Sequence, residues 1–357
     1  MKGESLEFLN KLLETPSPSG NEQKIQSVVK RRMSKYSDDI SIDVHGNLTA
    51  VYNPKGKVRV MLAGHCDQIG LMVSHIDERG YLWVKQVGGI NPIVTAGANV
   101  VVYTESGEVD GVIGYKPLHL IPSNERGGNL DLSKLWIDIG AKDGAEARKI
   151  VSIGDYVTYR LGVTKLANNM IASPGCDNRT GLFVCMEALK IVASKVKSKK
   201  TFPVALFAVS TVQEELGLRG ARTAAYGIDP HVGIAVDVNH ATDNPGADAK
   251  EVGVMKLGLG PVIQRGPNIN QPLERLLKAT AKKKKIPHQI IAAPAATGTD
   301  ANAMQISRAG IATALISIPN RYMHTQVEVV HLGDLENSAK LIAETILSIT
   351  ARTSFIP

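Results

Sequence analysis

The run VALFAVSTVQEELG at residues 204–217 decides the fold of this chain. It opens as a strand, Val204 to Val212, and passes straight into three polar side chains, Gln213, Glu214 and Glu215. Outward from it, strands and helices alternate. A helix near Gly181 to Lys195 comes before it; a strand at Val232 to Asp237, a helix around Pro272 to Lys284, a strand at Ala312 to Ile318 and a last helix around Leu335 to Thr350 come after. Nearer the start, Val58 to Ala63 reads as a buried strand, and Ser41 to Val51 as two short strands about the turn His45-Gly46-Asn47. Leu6, Leu9, Leu12 and Leu13 recur at helical spacing, and so do Ile25, Val28, Val29 and Met33. This alternation predicts an α/β fold, a mostly parallel sheet flanked by helices.

Between about Asp67 and Leu166 the texture changes. Short β-type runs dominate, at Val100 to Tyr103, Val109 to Ile113 and Tyr156 to Val163, with a turn at Glu105 to Glu108 and no long helical period. The segment reads as a small β domain inserted into the α/β chain.

Composition narrows the function. The 357 residues are 43% hydrophobic and 21% charged, ordinary globular usage that argues against disorder or a fibrous repeat. A length of this order gives about two domains as a soft prior. Aromatics at 4% leave little for stacking single-stranded nucleic acid. The net charge of +7 is scattered; its one dense run, Lys282 to Lys285, ends a predicted helix, where cations suit the dipole, so no nucleic-acid partner is expected. No apolar stretch approaches the ~18 residues of a membrane helix, so no membrane partner is expected either. The start, Met1 to Glu7, carries acids and no apolar h-region. Three cysteines make no disulfide framework, and a cytoplasmic home is expected.

In open α/β sheets ligands bind beyond the carboxyl ends of the strands. Gly64-His65-Cys66-Asp67 follows one predicted strand and Gln213-Glu214-Glu215 another; a third ends on Asp237, and Arg321-Tyr322-Met323-His324 lies beyond a fourth. Cys176-Asp177-Asn178-Arg179 opens the helix near Gly181. Histidine with carboxylate is an ordinary ligand set for zinc, cobalt or manganese. Residues 65 and 67 point the same way on extended chain, so His65 can bind metal while Asp67 accepts from its other ring nitrogen. Cys66 then points away; a thiolate at Cys176 stays open. Glu214 and Glu215 face different directions, leaving one to ligate and the other to act as a base.

Several further motifs occur in order: Ser17-Pro18-Ser19-Gly20-Asn21-Glu22, Gln68-Ile69-Gly70 after Asp67, Arg179-Thr180-Gly181, Leu216-Gly217 after Glu215, and Gly298-Thr299-Asp300-Ala301. With the ligand stretches they make the chain resemble, nearly end to end, the tetrahedral-assembly (TET) dinuclear metallo-aminopeptidases. That family includes glutamyl and deblocking aminopeptidases and some members named endoglucanases. The resemblance implies a zinc-exopeptidase-like catalytic domain at 1–67 and 166–357, with an inserted β-barrel-like (PDZ-like) dimerisation domain at 68–165. It implies hydrolysis of the N-terminal peptide bond of short peptides by two divalent metal ions, zinc or cobalt, with manganese as a further candidate. His65 and Asp237 would each bind one metal, Glu215 and His324 the second, and Asp177 would bridge. Glu214 would be the general base and Asp67 the partner of His65. The assembly implied is a homododecamer built from dimers.

Gln68 and Asn178 stand where acids are frequent in that family. His119, in Lys116-Pro117-Leu118-His119, is either a loop histidine or an approach to the substrate cleft. Thr299 and Asp300 either line a substrate pocket or order a turn, and Arg321 either orients a carboxylate near the site or forms a surface ion pair. A related dinuclear hydrolase, a dipeptidase or deacylase, is the alternative activity. A glycan hydrolase does not fit, because glycosidases use two carboxylates without metal.

Overall fold

A computed structural model describes residues 1–123 and 130–357. In chain order the strands are β1 (Asp39–Ile42), β2 (Leu48–Tyr52), β3 (Val58–His65), β4 (Gly70–Ile76), β5 (Leu82–Val87), β6 (Asn99–Thr104), β7 (Gly107–Gly114), β8 (Trp136–Asp138), β9 (Tyr156–Tyr159), β10 (Thr164–Lys165), β11 (Met170–Ala172), β12 (Val204–Thr211), β13 (Val232–His240), β14 (Val262–Arg265), β15 (Gln289–Ala292), β16 (Ala312–Asn320) and β17 (Val329–His331). The helices are α1 (Gly3–Leu13), α2 (Gln23–Met33), α3 (Pro92–Thr95), α4 (Gly144–Ile150), α5 (Cys176–Lys195), α6 (Arg219–Ile228), α7 (Ala249–Val252), α8 (Gln271–Lys284), α9 (Asp300–Gln305) and α10 (Leu332–Ser348).

Eight strands form the main sheet, in the order β1-β2-β12-β3-β13-β16-β14-β15. The four central strands, β12, β3, β13 and β16, run parallel. The flanks are antiparallel: β1–β2 pairs about the expected His45-Gly46-Asn47 turn, and β2–β12 and β14–β16 are antiparallel as well. At the β1 side a short turn suffices, since an antiparallel pair needs no crossover helix. β12 is buried along almost its whole length, as expected of a strand covered on both faces. Helix α5 packs between β3, β13 and α10, and its middle, Leu182 to Met186, is apolar and buried all round. Helices α6 and α9 pack together against β12, β13 and β16.

β3 and α5 approach very closely. A Cβ on Gly64 would lie 2.7 Å from both the Gly181 carbonyl carbon and the Leu182 nitrogen, and one on Gly181 would collide with Asn178 and the Val236 carbonyl. Glycine at both positions lets the end of β3, which carries His65, lie against the head of α5, which carries Asp177.

The segment between β3 and β10 closes a six-stranded antiparallel barrel, β4-β5-β8-β7-β6-β9, around its own core of Leu71, Val73, Leu82, Val100, Val102, Ile137 and Val157. The strand expected over Tyr156 to Val163 stops at Tyr159, because the ladder with β6 runs out at Asn99. A short helix, α4, also lies in this segment, capped by the Asp143 side chain on the Glu146 N–H. A three-stranded sheet, β10-β11-β17, ties the exit from the barrel to the chain beyond β16. Among the described residues no helix is long and apolar enough to cross a membrane.

Replacing Gly64 by Ala forces a methyl against backbone that cannot yield cheaply. Chemical denaturation is expected to show a loss of about 1–3 kcal/mol; an unchanged midpoint would mean that the β3–α5 approach is looser than drawn.

Candidate metal centre

Four of the five expected ligands, His65, Glu215, Asp237 and His324, lie toward or just beyond the carboxyl ends of the four parallel strands; the fifth, Asp177, comes from the head of α5. His65 is the last residue of β3 and stands in register with Thr211 on β12. Two residues past Thr211, Gln213 takes a left-handed φ of 52°, and the Glu214 carbonyl then accepts the N–H groups of Gly217 and Leu218. This turn holds Glu214 and Glu215 over the sheet edge. Asp237 lies on β13 beside Ser317 of β16. Asp177 sits at the head of α5, where the backbone is non-helical through Asn178 and the Asp177–Asn178 peptide is cis. His324 follows β16 with a φ of 61°.

Asp177 faces both histidines. Its Oδ1 lies 3.3 Å from His65 Nε2, and its Oδ2 lies 3.3 Å from His324 Nε2. His65 Nε2 is also 3.6 Å from Glu214 Oε2 and 3.8 Å from Asp237 Oδ1. His324 Nε2 is 3.6 Å from Glu215 Oε1. One ligand atom each from His65, Asp177 and Glu215 lies within 4.8 Å of the others, and the same holds for His65, Glu214 and Asp237. This is a borderline-hard donor set of imidazole and carboxylate, which suits a divalent transition metal.

Asp67 works from below. Its carboxylate lies 3.3 Å from His65 Nδ1, and its own backbone carbonyl lies 3.1 Å from the same nitrogen. Its Oδ1 accepts the Glu214 N–H at 3.0 Å; its Oδ2 accepts the Glu215 N–H at 3.2 Å and the Ser19 hydroxyl at 2.6 Å. One buried carboxylate thus orients His65 and pins the turn that carries both glutamates.

Burial governs the proton affinities. It pushes the carboxyls of Glu214, Glu215 and Asp237 well up, and neighbouring carboxylates add to the shift. Asp177 goes the other way, because its bonds to His324 and His65 outweigh its burial. Contact with Asp177 raises His324 to about 9. Burial opposes charge on His65, but Glu214, Asp177 and Asp67 together hold its pKa above the ordinary value.

The model of the M42 glutamyl aminopeptidases matches residues 46–341. The chain belongs to that family. It is 40% identical to the lysyl aminopeptidase of Pyrococcus furiosus over 98% of its own length and 99% of the relative's. The TET aminopeptidase of a marine sediment archaeon of the Thaumarchaeota superposes with a TM-score of 0.93 at 34% identity, over 98% of both chains. The TET1 peptidase of Pyrococcus horikoshii, described as assembling into a tetrahedron or a large octahedral shell, superposes at 0.84 with 32% identity, over 97% of this chain and 100% of that one. This M42 member is a metal-dependent aminopeptidase, a hydrolase of the exopeptidase class.

A cavity of about 1000 Å³ opens over the ligands. Thr299 lines it, and its side chain also caps α9 at the Ala301 N–H. Asp300 lies buried beneath, bonded at 2.6 Å to the Thr211 hydroxyl. Arg321 does not line the cavity; it forms a bidentate pair with Asp243 at 2.9 and 2.7 Å. His119 is exposed on a single 3₁₀ turn, away from the cavity lining. Cys176 belongs to neither of the candidate ligand groups: its thiol is buried and donates to the Ser173 carbonyl, and burial pushes its pKa well up.

Asn178 uses both ends of its amide, and Gln68 its amide oxygen. Asn178 donates to the Val236 carbonyl at 2.8 Å and accepts the Gly181 N–H at 3.0 Å, which ties the head of α5 to β13 just before Asp237. A carboxylate there would lose the donor. Gln68 accepts from the buried guanidinium of Arg179, whose other bonds go to the Leu13 carbonyl and the Ser17 hydroxyl.

Two features at the site were not read from the sequence. Glu328 is buried and accepts the backbone N–H groups of both Asp177 and His324, at 2.7 and 3.0 Å. No strand-end rule points to it, since it lies in a loop four residues beyond His324. Gly88 and Gly89, just past β5 of the barrel, lie against Glu215 and His324; a Cβ on Gly89 would be 3.0 Å from His324 Nδ1. The Gly-Gly pair itself, inside the segment read as a β domain, was the available signal, because glycine marks close approach.

The raised proton affinities have a consequence for metal binding. In chelated protein His324 keeps its proton up to about pH 9, and the glutamates are also shifted up, so an incoming cation displaces protons. Affinity for Co²⁺ is therefore expected to fall as pH drops from 9 toward 6. Titration calorimetry at pH 7 in buffers of different ionisation enthalpy is expected to show proton release; a buffer-independent enthalpy would contradict this.

Proposed function

We propose that this aminopeptidase holds two divalent cations, zinc or cobalt, with manganese also suited to the donor set. His65 and Asp237 would serve one ion and Glu215 and His324 the other, with Asp177 shared between them. The observation that carries this reading is the pair of 3.3 Å approaches, one from each Asp177 oxygen to a different histidine. When bound, such a pair supplies charge that polarises a scissile carbonyl and acidifies a water. Three ligand carboxylates against two dications leave about one positive charge, which a hydroxide can balance.

Glu214 is the general base in this reading. It is held over the cavity by the Asp67 clamp on its N–H, and its Oε2 lies on the His65 side of the cluster. Burial raises its proton affinity and two bound cations would draw it back down, the balance needed by a group that takes a proton from the attacking water and hands it to the departing amine. Asp67 keeps His65 oriented and the glutamate turn in place. The cavity runs from the ligands past Ser317, beside Asp237, to Gln264, whose amide donates to the Ser317 hydroxyl at 3.0 Å. Its size accommodates a short peptide. Thr299 would touch such a substrate, with Asp300 supporting the edge from beneath. His119 and Arg321 are not assigned substrate roles.

The barrel at 68–165 is proposed to carry dimer contacts within a homododecamer, an assembly supported by the forms described for the Pyrococcus horikoshii TET1 peptidase. Three buried free cysteines accord with a cytoplasmic setting. Light scattering is expected to report a large homo-oligomer, and a stable monomer would refute it.

The Glu214→Gln variant is expected to keep its metal by elemental analysis and to lose at least about 10²-fold in kcat. Near-normal turnover would remove Glu214 from the base role. A panel of aminoacyl chromogenic substrates, dipeptides and N-acyl amino acids, run after chelation and again after adding Zn²⁺, Co²⁺ or Mn²⁺, separates the aminopeptidase from a dipeptidase or deacylase.

A further inference from the structure

We propose that Glu328 is a positioning residue for the ion on the His324 side: its carboxylate fixes the spacing between the backbones of Asp177 and His324, and thereby sets the affinity of that side alone. The inference rests on the dinuclear reading above.

The two residues come from distant parts of the chain, one from the head of α5 and one from the loop after β16. Glu328 joins them. Its Oε2 accepts the Asp177 N–H at 2.7 Å and its Oε1 accepts the His324 N–H at 3.0 Å, in an environment that leaves Glu328 only 1% exposed. The backbone of Glu328 is fixed as well. Its carbonyl accepts the Ser173 N–H at 3.0 Å, and Val329 next to it pairs with Ala172 in the β11–β17 ladder. The bracket is therefore anchored to the strand that delivers Asp177 and reaches four residues back to His324.

His324 needs such a bracket. Tyr322 and His324 both have a φ of 61°, a left-handed conformation that side-chain-bearing residues adopt only when their surroundings impose it. Arg321, paired with Asp243, holds one side of this loop; Glu328 holds the other. A carboxylate is the side chain for the task, since both its oxygens accept and neither need donate. Glutamine would satisfy one N–H and turn its own NH₂ toward the second.

The arrangement repeats what Asp67 does on the other side, where one buried carboxylate accepts the N–H groups of Glu214 and Glu215. The difference lies in reach. Asp67 also lies 3.3 Å from the His65 ring, whereas the two bonds of the Glu328 carboxylate go to backbone. Asp177, shared by both sides, keeps a second anchor through Asn178, which is tied to β13 and to Gly181, whereas on this side of its loop His324 has Glu328; loss of Glu328 should therefore loosen the side that depends on His324 and spare the His65–Asp237 side.

The test is titration of the chelated, full-length protein with Co²⁺, followed by calorimetry and by the visible absorption of the bound ion. Wild type is expected to take two ions. Glu328→Gln is expected to bind the first with unchanged affinity and the second about 10–100-fold more weakly, with the thermal midpoint of the chelated form little changed. If the variant binds both ions as wild type does, or loses affinity for both equally, the proposal is overturned. If wild type itself takes fewer than two ions, the dinuclear reading fails first. Should the Gln variant not fold, Glu328→Asp, which keeps the charge and withdraws it by one methylene, is judged by the same outcomes.

Discussion

The architecture of the site depends on one carboxylate that faces two ways. Asp177 presents one oxygen to His65 and the other to His324, each at 3.3 Å. Around it, Glu214, Glu215, Asp237 and Glu328 bring further carboxyls into a largely buried space. Burying like charges together is costly unless cations or hydrogen-bond donors compensate. Here the donors are mostly backbone N–H groups, gathered by Asp67 on one side and Glu328 on the other. The side chains of the candidate ligands are left free to face the cavity, while two buried acids, Asp67 and Glu328, secure the backbone beneath them.

That arrangement requires several chain segments to meet within a few ångströms. The parallel centre of the sheet supplies the alignment, because parallel strands bring all their carboxyl ends to one edge. The close contact of β3 with α5, which glycine at 64 and 181 permits, sets His65 against Asp177. The barrel is part of this packing as well. Its Gly88–Gly89 corner rests on Glu215 and His324, so the inserted segment bounds the site it interrupts in sequence. The structure thereby ties the barrel mechanically to Glu215 and His324.

Much of the fold was legible because it rests on local periodicity. The apolar run at 204–212 and the runs at 58–63, 232–237 and 312–318 became the four central strands, and the amphipathic spacing at 6–13 and 25–33 became α1 and α2. At one flank the β1–β2 hairpin was legible from its turn; at the other, β14 and β15 were not, since they are four-residue strands with too little pattern, and the antiparallel pairing of β14 with β16 is a property of the neighbours. Within the barrel, β8 is only three residues long and carries almost no signal of its own. At the site, the residues that follow strand ends stood out, since the position beyond a parallel strand is itself informative. Arg321 illustrates the limit. Its nearness to His324 in sequence left two readings open, and the partner that decides between them, Asp243, is 78 residues away.

By itself the sequence determined which side chains are available for chemistry, and that strand–helix alternation would carry them to one edge of a sheet. Both follow from residue type and short-range spacing, which any segment carries within itself. The tertiary structure alone decided how those side chains are held. That Glu328 brackets Asp177 and His324, that Asn178 donates to the Val236 carbonyl, and that Gly89 leaves room for His324 are facts about how the folded chain sets these groups against one another. Such contacts exist only once the core has closed, because hydrogen-bond geometry and excluded volume act across space and leave no periodic trace along the chain.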